Sequence, residues 1–387
     1  MTATSTSAPT PDAGDQEALL RLAAAGGPAA PRRALLDAHR SPRAALDAGT
    51  RAWRSAGLDE AQVRALGAGA AGDARGRDWL AQPGHHLLGW HDPDYPPLLR
   101  RSANPPLALF VAGDPALLWH PAVAVVGSRS PTAGGRDNAR DFARALAGSG
   151  LGVTSGLALG IDAAAHEAAL AAGGPTVAVL GSGIDLPYPR SNAALYARIA
   201  AAGAVVSEHP PGTGALREHF PSRNRIIAGL ALGTLVIEAA QRSGALITAR
   251  QASEAGRDVF AVPGSIHNPM ARGCHRLIRD GAALVERADE VIAALAPLAA
   301  ELGRALRRRL DAPNSPSEAP SGALPDMPGS GDPDYHRLWQ ALGHDPTGMD
   351  RLVERTGLTT AQLSSMLLVM ELEGRVVAEH GRYSRKS

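Results

Sequence analysis

The stretch HFPSRNRIIAGL, residues 219–230, places two arginines around one asparagine just before an apolar run. Guanidinium groups match phosphate oxygens, an aromatic face can stack on a base, and an amide can hydrogen-bond to a base edge. This set of side chains predicts a site for single-stranded nucleic acid. The alternative is an ordinary ion pair between one arginine and Glu218 or Glu238. The set comprises Arg217, Phe220, Arg223, Asn224 and Arg225.

Three glycine- and serine-rich turns follow apolar runs earlier in the chain. Glycine lets the backbone approach a ligand closely, and a helix N-terminus offers free N–H groups to an anion. Each turn alone is equally typical of a tight strand-to-helix connection, but three at one sheet edge predict an anion-binding rim. Their candidate residues are Gly127, Ser128 and Arg129; Ser155, Gly156, Gly160 and Asp162; and Gly181, Ser182 and Gly183.

Groups suited to catalysis are scarce in the sequence. Asp162 and His166 stand four residues apart on a predicted helix, where they could act as an acid/base pair, although a structural hydrogen-bonding role is favoured. Cys274 lies beside His275 without an evident orienting group, which disfavours a thiol nucleophile. The motifs HExxH, GxSxG, GxxxxGK[ST] and a strand-linked GxGxxG are absent from the sequence. We therefore expect no enzymatic activity and no cofactor or metal.

The elements that must position these residues are short apolar runs alternating with helical segments. Six runs, all after residue 121, predict strands: VAVVGS, GVTSG, TVAVLGSG, AVVSE, TLVIEA and DVFAVPG. Strands joined by helices imply a doubly wound, mostly parallel, Rossmann-like α/β sheet, in which ligands bind beyond the carboxyl ends of the strands. A helix over 226–232 would place the two arginines at its entrance, followed by a strand over 235–239.

The flanks of this region have a different composition. We expect a disordered N-terminus over 1–16 and a small helical domain of SAM or helix-hairpin-helix type over 17–80. The Rossmann-like domain then covers 81–310, including an irregular lead-in with a strand at 107–111. Residues 311–334 are rich in Pro, Ser and Gly and predict a flexible linker. Residues 335–387 predict three helices and a hairpin, typical of a winged helix or, alternatively, of a protein-docking module.

Composition limits the classes of partner. The 39 Lys and Arg residues nearly balance 38 Asp and Glu, so a polyanion site must be local. The single cysteine excludes an internal disulfide and a CxxC zinc site. No apolar run is long enough to span a bilayer, and no signal peptide is evident at the N-terminus. We expect a cytoplasmic protein that does not contact a membrane.

Several blocks of residues 121–287 resemble the DNA-processing protein A family, also called DprA or Smf. They include VAVVGSRSPTAGG, VTSGLALGIDAAAHEAAL, AVLGSGIDLPYPRSN, REHFPSRNRIIAGLA and LVIEAAQRSGALITARQASEAGRDVFAVPG. The N-terminal helices and the C-terminal segment resemble the family's flanking domains more loosely. This chain has Arg217 where some members have lysine.

The resemblance implies a homodimer that binds single-stranded DNA without strong sequence preference and helps load RecA recombinase during natural transformation. It adds Ser243 and Thr248, within the quoted blocks, to the DNA-binding candidates. Two other functions remain open. One is a Rossmann-like nucleotide phosphoribohydrolase, disfavoured because Gly233 and Thr234 lead into a strand. The other is a regulator that binds DNA through the winged helix.

Overall fold

A computed structural model describes residues 13–39, 41–68, 74–311, 333–342, 347–372, 375–379 and 382–385. The chain divides into two compact units, Met1–Leu295 and Ala296–Ser387. Within the described ranges, no helix has both the length and the apolar character needed to cross a membrane.

The first unit begins with a bundle of six short helices. Leu22, Leu35 and Leu66 are fully buried in its core, and Asp59 and Gln62 form a capping box at the start of the fifth helix. The bounds are α1 (Ala13–Ala24), α2 (Ala29–Ala38), α3 (Pro42–Asp47), α4 (Gly49–Ser55), α5 (Glu60–Gly67) and α6 (Ala74–Leu80). The first helix therefore starts inside the stretch 1–16 that was predicted to be disordered, and residues 1–12 lie outside the described ranges.

A nine-stranded sheet forms the centre of the first unit. The strands are β1 (His85–Gly89), β2 (Ala108–Gly113), β3 (Ala122–Val126), β4 (Gly152–Ser155), β5 (Thr176–Val179), β6 (Ala204–Ser207), β7 (Gly233–Val236), β8 (Asp258–Ala261) and β9 (Ala283–Leu284). Their spatial order is β1-β2-β6-β5-β4-β3-β7-β8-β9. Strands β3 to β9 are parallel, which confirms the predicted doubly wound sheet, whereas β1 and β2 extend it in antiparallel fashion. The lead-in is thus more regular than predicted, because β1 pairs with β2 along its whole length.

Helices cover both faces of this sheet. They are α7 (Pro97–Arg100), α8 (Ala133–Gly148), α9 (Ile161–Ala171), α10 (Ala193–Ala202), α11 (His219–Leu230), α12 (Ala245–Glu254) and α13 (Arg272–Arg279). A further helix, α14 (Ala288–Asp311), begins in the first unit and ends in the second. Alternate side chains of β5 enter opposite cores: Val177 and Val179 share one with Ile226 of α11, and Ala178 shares the other with Ile199 of α10. Such two-sided burial explains why the parallel strands are continuously apolar in sequence.

The helix that carries the two arginines starts earlier than the sequence suggested. It runs over His219–Leu230 rather than 226–232, and β7 covers Gly233–Val236 rather than 235–239. Pro221 does not prevent this start because it occupies the first helical turn, where the backbone N–H has no partner within the helix. The arginines therefore lie within the helix instead of ahead of it.

The second unit contains a small winged-helix fold. Its elements are α15 (Pro333–Ala341), β10 (Thr347–Gly348), α16 (Met349–Thr356), α17 (Thr360–Leu372), β11 (Val376–Glu379) and β12 (Arg382–Arg385), with strand order β10-β12-β11. Leu338, Leu352, Leu363 and Leu367 form its buried core. The three predicted helices and the hairpin are present. Most of the predicted linker, residues 312–332, lies outside the described ranges.

Candidate nucleic-acid interface

A groove of about 700 Å³ opens at the carboxyl edge of the parallel sheet. It lies where the strand order reverses, between β3 and β7, which is the usual ligand position in doubly wound sheets. We call it the sheet-edge groove. Its walls are the turn after β3 (126–130), the start of α9, one face of α11, and the segment 240–248 after β7, with Tyr188 and Met270 at its margin.

The turn after β3 is held from two sides. The Ser128 N–H donates to the carbonyl oxygen of Glu238 at 2.7 Å, and the Ser128 carbonyl accepts from the Ile161 N–H at 3.1 Å. Gly127 is required because a Cβ there would lie 2.7 Å from Ile161 Cγ1. These contacts fix the backbone that presents Arg129 to the groove.

The buried carboxylate of Glu238 supports the same turn. It accepts hydrogen bonds from the Thr132 N–H at 2.9 Å, the Thr132 hydroxyl at 2.7 Å and the Asn268 amide at 3.2 Å. Thr132 is the N-cap of α8, so the negative charge also lies at the positive end of that helix. From its position in the sequence, Glu238 was expected only as an alternative arginine partner. Its contacts instead make it a clamp that holds the turn after β3 and the start of α8 together.

The second turn, after β4, closes around Arg223. This guanidinium is only 4% exposed and donates through Nη1 to the carbonyl oxygens of Gly156, at 2.7 Å, and Val179. A Cβ on Gly156 would lie 2.3 Å from Arg223 Nη2, so the turn requires glycine at that position. Burial lowers the pKa of Arg223 to about 10, which leaves it a cation at neutral pH.

Asp162 and His166 have structural partners. Asp162 accepts from the Gly156 and Ala158 N–H groups at 3.1 and 3.4 Å, and burial raises its pKa against the opposing effect of Arg223. The ring of His166 is 2.7 Å from the Thr176 hydroxyl, and burial lowers its pKa to about 3. These contacts support the structural interpretation of this pair over an acid/base role.

Two aromatic rings and a guanidinium meet at the mouth of the groove. The ring centroids of Tyr188 and Phe220 are 5.2 Å apart, and the Arg129 guanidinium carbon is 5.8 Å from the Phe220 centroid. Tyr188 is 47% exposed. A recess of about 100 Å³ between these residues and Leu159 adjoins the groove. Such a cluster offers apolar ring faces next to a positive charge.

The side chains of Arg223, Asn224 and Arg225, at the centre of α11, point in different directions. Arg223 faces the sheet, and its Nε donates to Asn224 Oδ1 at 3.0 Å. Arg225 lies on another face, where Nη2 pairs with Glu208 at 2.6 Å. One arginine of the three residues 223–225 thus forms an ion pair, as the alternative from the sequence held, but its partner is Glu208 and not Glu218 or Glu238.

The structure brings ten of the candidates to the sheet-edge groove and places the others elsewhere. The ten are Gly127, Ser128, Arg129, Asp162, Arg217, Phe220, Arg223, Asn224, Ser243 and Thr248. Gly156 lines the adjoining recess. The hydroxyls of Ser155 and Ser182 donate to the carbonyls of Val125 and Leu186. Gly160, Gly181, Gly183 and Arg225 are not among the groove residues.

Among the groove residues that were not identified from the sequence, two carry groups suited to DNA, an aromatic ring and a guanidinium. Tyr188 follows β5 in the segment DLPYP, so an aromatic after a strand was the available signal. Arg242 follows β7 in the segment QRSG, next to Ser243. Among the described residues, Arg129, Arg217 and Arg242 show no ion pair with a carboxylate. They are therefore the cations best able to meet an incoming anion. In the same ranges, no cluster of three or more His, Cys, Asp or Glu side chains could hold a metal ion.

The fold and the groove together define a class: a Rossmann-like protein with an arginine- and aromatic-lined groove at its sheet edge, coupled in sequence to a winged helix. Family models agree with both parts. Residues 86–296 match the model for DNA recombination-mediator protein A, and residues 313–382 match the DprA winged helix domain. The chain belongs to the DprA/Smf family of DNA-processing proteins.

Individual relatives cover most of the chain. Protein Smf of Escherichia coli is 42% identical over 308 residues, 79% of each chain. DNA processing protein DprA of Streptococcus pneumoniae is 48% identical over 202 residues, which are 52% of this chain and 71% of that one. The X-ray structure of the pneumococcal protein matches with a TM-score of 0.64 and 35% identity, over 73% of this chain and 98% of that chain.

A second solved structure carries information on a ligand. DNA processing protein A of Helicobacter pylori was described for its single-stranded DNA binding mode. It matches with a TM-score of 0.50 and 28% identity, over 55% of this chain and 95% of that chain.

Proposed function

We propose that this protein binds single-stranded DNA in the sheet-edge groove without strong sequence preference. The observation that carries the proposal is the cluster of Tyr188, Phe220 and Arg129 at the mouth of the groove. A single strand offers unstacked bases and accessible phosphates, which match ring faces and guanidinium groups. A base stacked on an aromatic side chain typically gains about 1–3 kcal/mol, whichever base it is.

Duplex DNA should bind more weakly at this site. Its bases already stack on one another, so Tyr188 and Phe220 could stack on a base only after the duplex had been opened. The three arginines without carboxylate partners would still attract duplex phosphates. We therefore expect preference for single strands rather than exclusion of duplexes.

We further propose that the protein acts as a homodimer, without a catalytic step, and helps load a RecA recombinase on the bound strand. The family description as a recombination mediator supports this role. The structural roles of Asp162 and His166 support a non-catalytic site, which also disfavours the phosphoribohydrolase alternative.

The alternative of a DNA-binding regulator rests on the winged helix. Its third helix, α17, would be the one to enter a DNA groove. The sequence of that helix, TAQLSSMLLVMEL, contains neither lysine nor arginine. This composition does not favour α17 as the main DNA contact, and we place the site in the first unit.

Fluorescence anisotropy with single-stranded and duplex oligonucleotides over a salt series tests the proposal. Arg129→Ala should weaken single-strand binding about 5- to 150-fold, since it removes a charge-assisted contact of about 1–3 kcal/mol. The matched control is Arg250→Ala, an exposed arginine of α12 that pairs with Glu254. Equal affinity for duplex, or unchanged binding by Arg129→Ala, would contradict the proposal.

Recombinase loading has its own measurement. The full-length protein should shorten the lag before RecA hydrolyses ATP on single strands already coated with a single-strand-binding protein. Arg129→Ala should lose this effect, and Arg250→Ala should keep it. No change in the lag with the unmodified protein would remove loading from the proposed function while leaving DNA binding intact.

A further inference from the structure

A second cavity, of about 540 Å³, lies between the helical bundle and the sheet of the first unit. We call it the bundle cavity. Its walls are the turn between α1 and α2 (Gly26–Pro28), the segment after β6 (208–213), and His219, Ser222 and Arg225 of α11. It shares no lining residue with the sheet-edge groove.

Helix α11 separates the two sites. Phe220, Arg223, Asn224 and Ile227 line the sheet-edge groove, whereas the residues at positions 219, 222 and 225 line the bundle cavity. The first set recurs at three- and four-residue spacing and the second at three-residue spacing, so each forms one face of the helix. The bundle cavity is therefore a separate site and not an extension of the groove.

The charged side chains of the cavity leave an excess of positive charge. Arg225 and Glu208 form a pair at 2.6 Å with 15% and 16% of their side chains exposed. Arg32, also in the lining, is 5% exposed and donates to the carbonyls of Leu22, Ala23 and Gly27. Burial lowers the pKa of Arg32 to about 10, so it stays charged at neutral pH. The lining thus contains two guanidinium groups and one carboxylate.

Three nitrogen atoms of lining residues are buried without a hydrogen-bond partner. They are Arg225 Nη1, His209 Nε2 and His219 Nδ1. The two imidazole rings stack with centroids 4.0 Å apart. Burial lowers the pKa of His209 to about 4, so that ring is neutral near pH 7 and offers hydrogen bonds rather than charge. Buried polar atoms without partners are rare in proteins and costly, and a bound group often satisfies them.

We propose that the bundle cavity binds a small phosphate-bearing molecule. Arginine and histidine nitrogens suit phosphate oxygens, and the excess positive charge favours an anion. The volume lies within the range of small-molecule sites, about 300–1,000 Å³, and far exceeds a single phosphate group. The ligand is therefore a phosphate ester with an organic body. This proposal does not depend on DNA binding in the sheet-edge groove.

Isothermal titration calorimetry on the full-length protein tests this site with adenosine monophosphate, adenosine and inorganic phosphate as probes. Adenosine monophosphate should bind, inorganic phosphate should compete with it, and adenosine should not bind. The double substitution Glu208→Gln with Arg225→Gln removes the ion pair without leaving a lone buried charge, and it should weaken binding about tenfold or more.

A second variant blocks the cavity sterically instead of removing its charged side chains. Ser222 is exposed at the rim, and Ser222→Trp should obstruct the cavity without altering its charge. Arg250→Gln is the control for loss of an exposed arginine and should bind the nucleotide normally. Circular dichroism melting of each variant establishes that it is folded. If the double variant does not fold, the nucleotide affinity of Ser222→Trp alone tests the site.

The results have clear alternatives. No heat of binding with adenosine monophosphate, or equal binding of adenosine, would overturn the proposal. Binding that survives both cavity variants but is lost in Arg129→Ala would place the nucleotide in the sheet-edge groove and would also overturn it. Loss in the cavity variants with retention in Arg129→Ala supports the bundle cavity, whatever the outcome for DNA.

Discussion

Arg223 and Arg225 are two residues apart in the sequence, yet their environments differ almost completely. Arg223 is buried against the backbone of two turns, where its hydrogen bonds to Gly156 and Val179 hold the edge of the groove together. Arg225 pairs with Glu208 on the other side of the helix. The arginines best able to meet DNA are instead Arg129, Arg217 and Arg242. Residue type alone therefore does not separate a structural arginine from a binding one.

Gly156 packs closely against the guanidinium group of Arg223, which makes this position sensitive to any added side chain. Gly156→Ala would place a Cβ 2.3 Å from Nη2 of a guanidinium that is buried and hydrogen-bonded. We expect a loss of about 1–3 kcal/mol in the free energy of unfolding, as for other overpacked sites. Urea denaturation followed by circular dichroism measures it.

The control for this change is Gly148→Ala at the end of α8, where nothing lies within 4 Å of the added Cβ. Alanine is the better helix former, so this variant should be unchanged or more stable by up to about 1 kcal/mol. If both variants have the same urea midpoint of unfolding as the unmodified protein, the added Cβ at position 156 is accommodated without strain, and the prediction is wrong.

The groove depends on how the ends of neighbouring helices and strands are joined. The carboxylate of Glu238, two residues beyond β7, holds the N-terminus of α8 through Thr132, and its backbone carbonyl holds the turn after β3. Strands β3 and β7 are neighbours in the sheet, which allows this short bridge between residues 106 positions apart. These contacts of Glu238 link α8 to the turn that carries Arg129.

Glu238→Gln tests the clamp. An amide has one oxygen and so cannot replace both carboxylate oxygens, of which Oε2 accepts from the Thr132 N–H and Oε1 from the Thr132 hydroxyl and Asn268. The favourable charge at the helix N-terminus is also lost, so we expect about 1–3 kcal/mol of destabilisation in urea denaturation. Single-strand affinity should also fall severalfold because the turn that carries Arg129 loosens.

A salt series separates positioning from direct contact in this variant. Glu238→Gln should leave the slope of log affinity against log salt unchanged, whereas Arg129→Ala should reduce its magnitude by about one. Glu254→Gln, a largely exposed carboxylate on α12, is the control and should change stability by less than about 0.5 kcal/mol. A stability of Glu238→Gln equal to that of this control would rule out the clamp.

For the whole molecule, the strand order decides where the sheet-edge groove forms. The reversal between β3 and β7 gathers the turns after β3, β4 and β7 at one edge, while a near-neutral net charge leaves long-range attraction weak. One groove of this size should therefore give moderate affinity. If the two grooves of a homodimer bound the same DNA strand, the affinity would rise without any new contact.

Oligonucleotide length tests this arrangement. Affinity should rise steeply, by about 10²-fold or more, once a strand is long enough to reach both grooves, whereas strands of about 10 nucleotides should show only single-groove affinity. Anisotropy over a length series measures the rise, and light scattering gives the mass of the free protein. A monomeric mass together with a gradual length dependence would contradict the paired-groove arrangement.

Most of the architecture of the first unit follows from local patterns in the amino-acid sequence. Parallel strands buried on both faces must be continuously apolar, and close turns must contain glycine, so the six central strands and the turns at Gly127 and Gly156 were visible as patterns. Proline in a first helical turn has no such clear signature, and for that reason the start of α11 was placed too late. The short edge strand β1 depends on its pairing with β2 and was missed.

Which side chains contact one another could be read only from the folded protein. Periodicity gives the face of a helix but not what lies opposite it, so the partners of Arg223 and Arg225 could not be read from the triplet. Likewise, Tyr188 joins Phe220, and Glu238 joins Thr132, across long stretches of chain. The bundle cavity requires two parts of the first unit to pack together. Contacts of this kind arise from packing between distant segments, which local sequence does not encode.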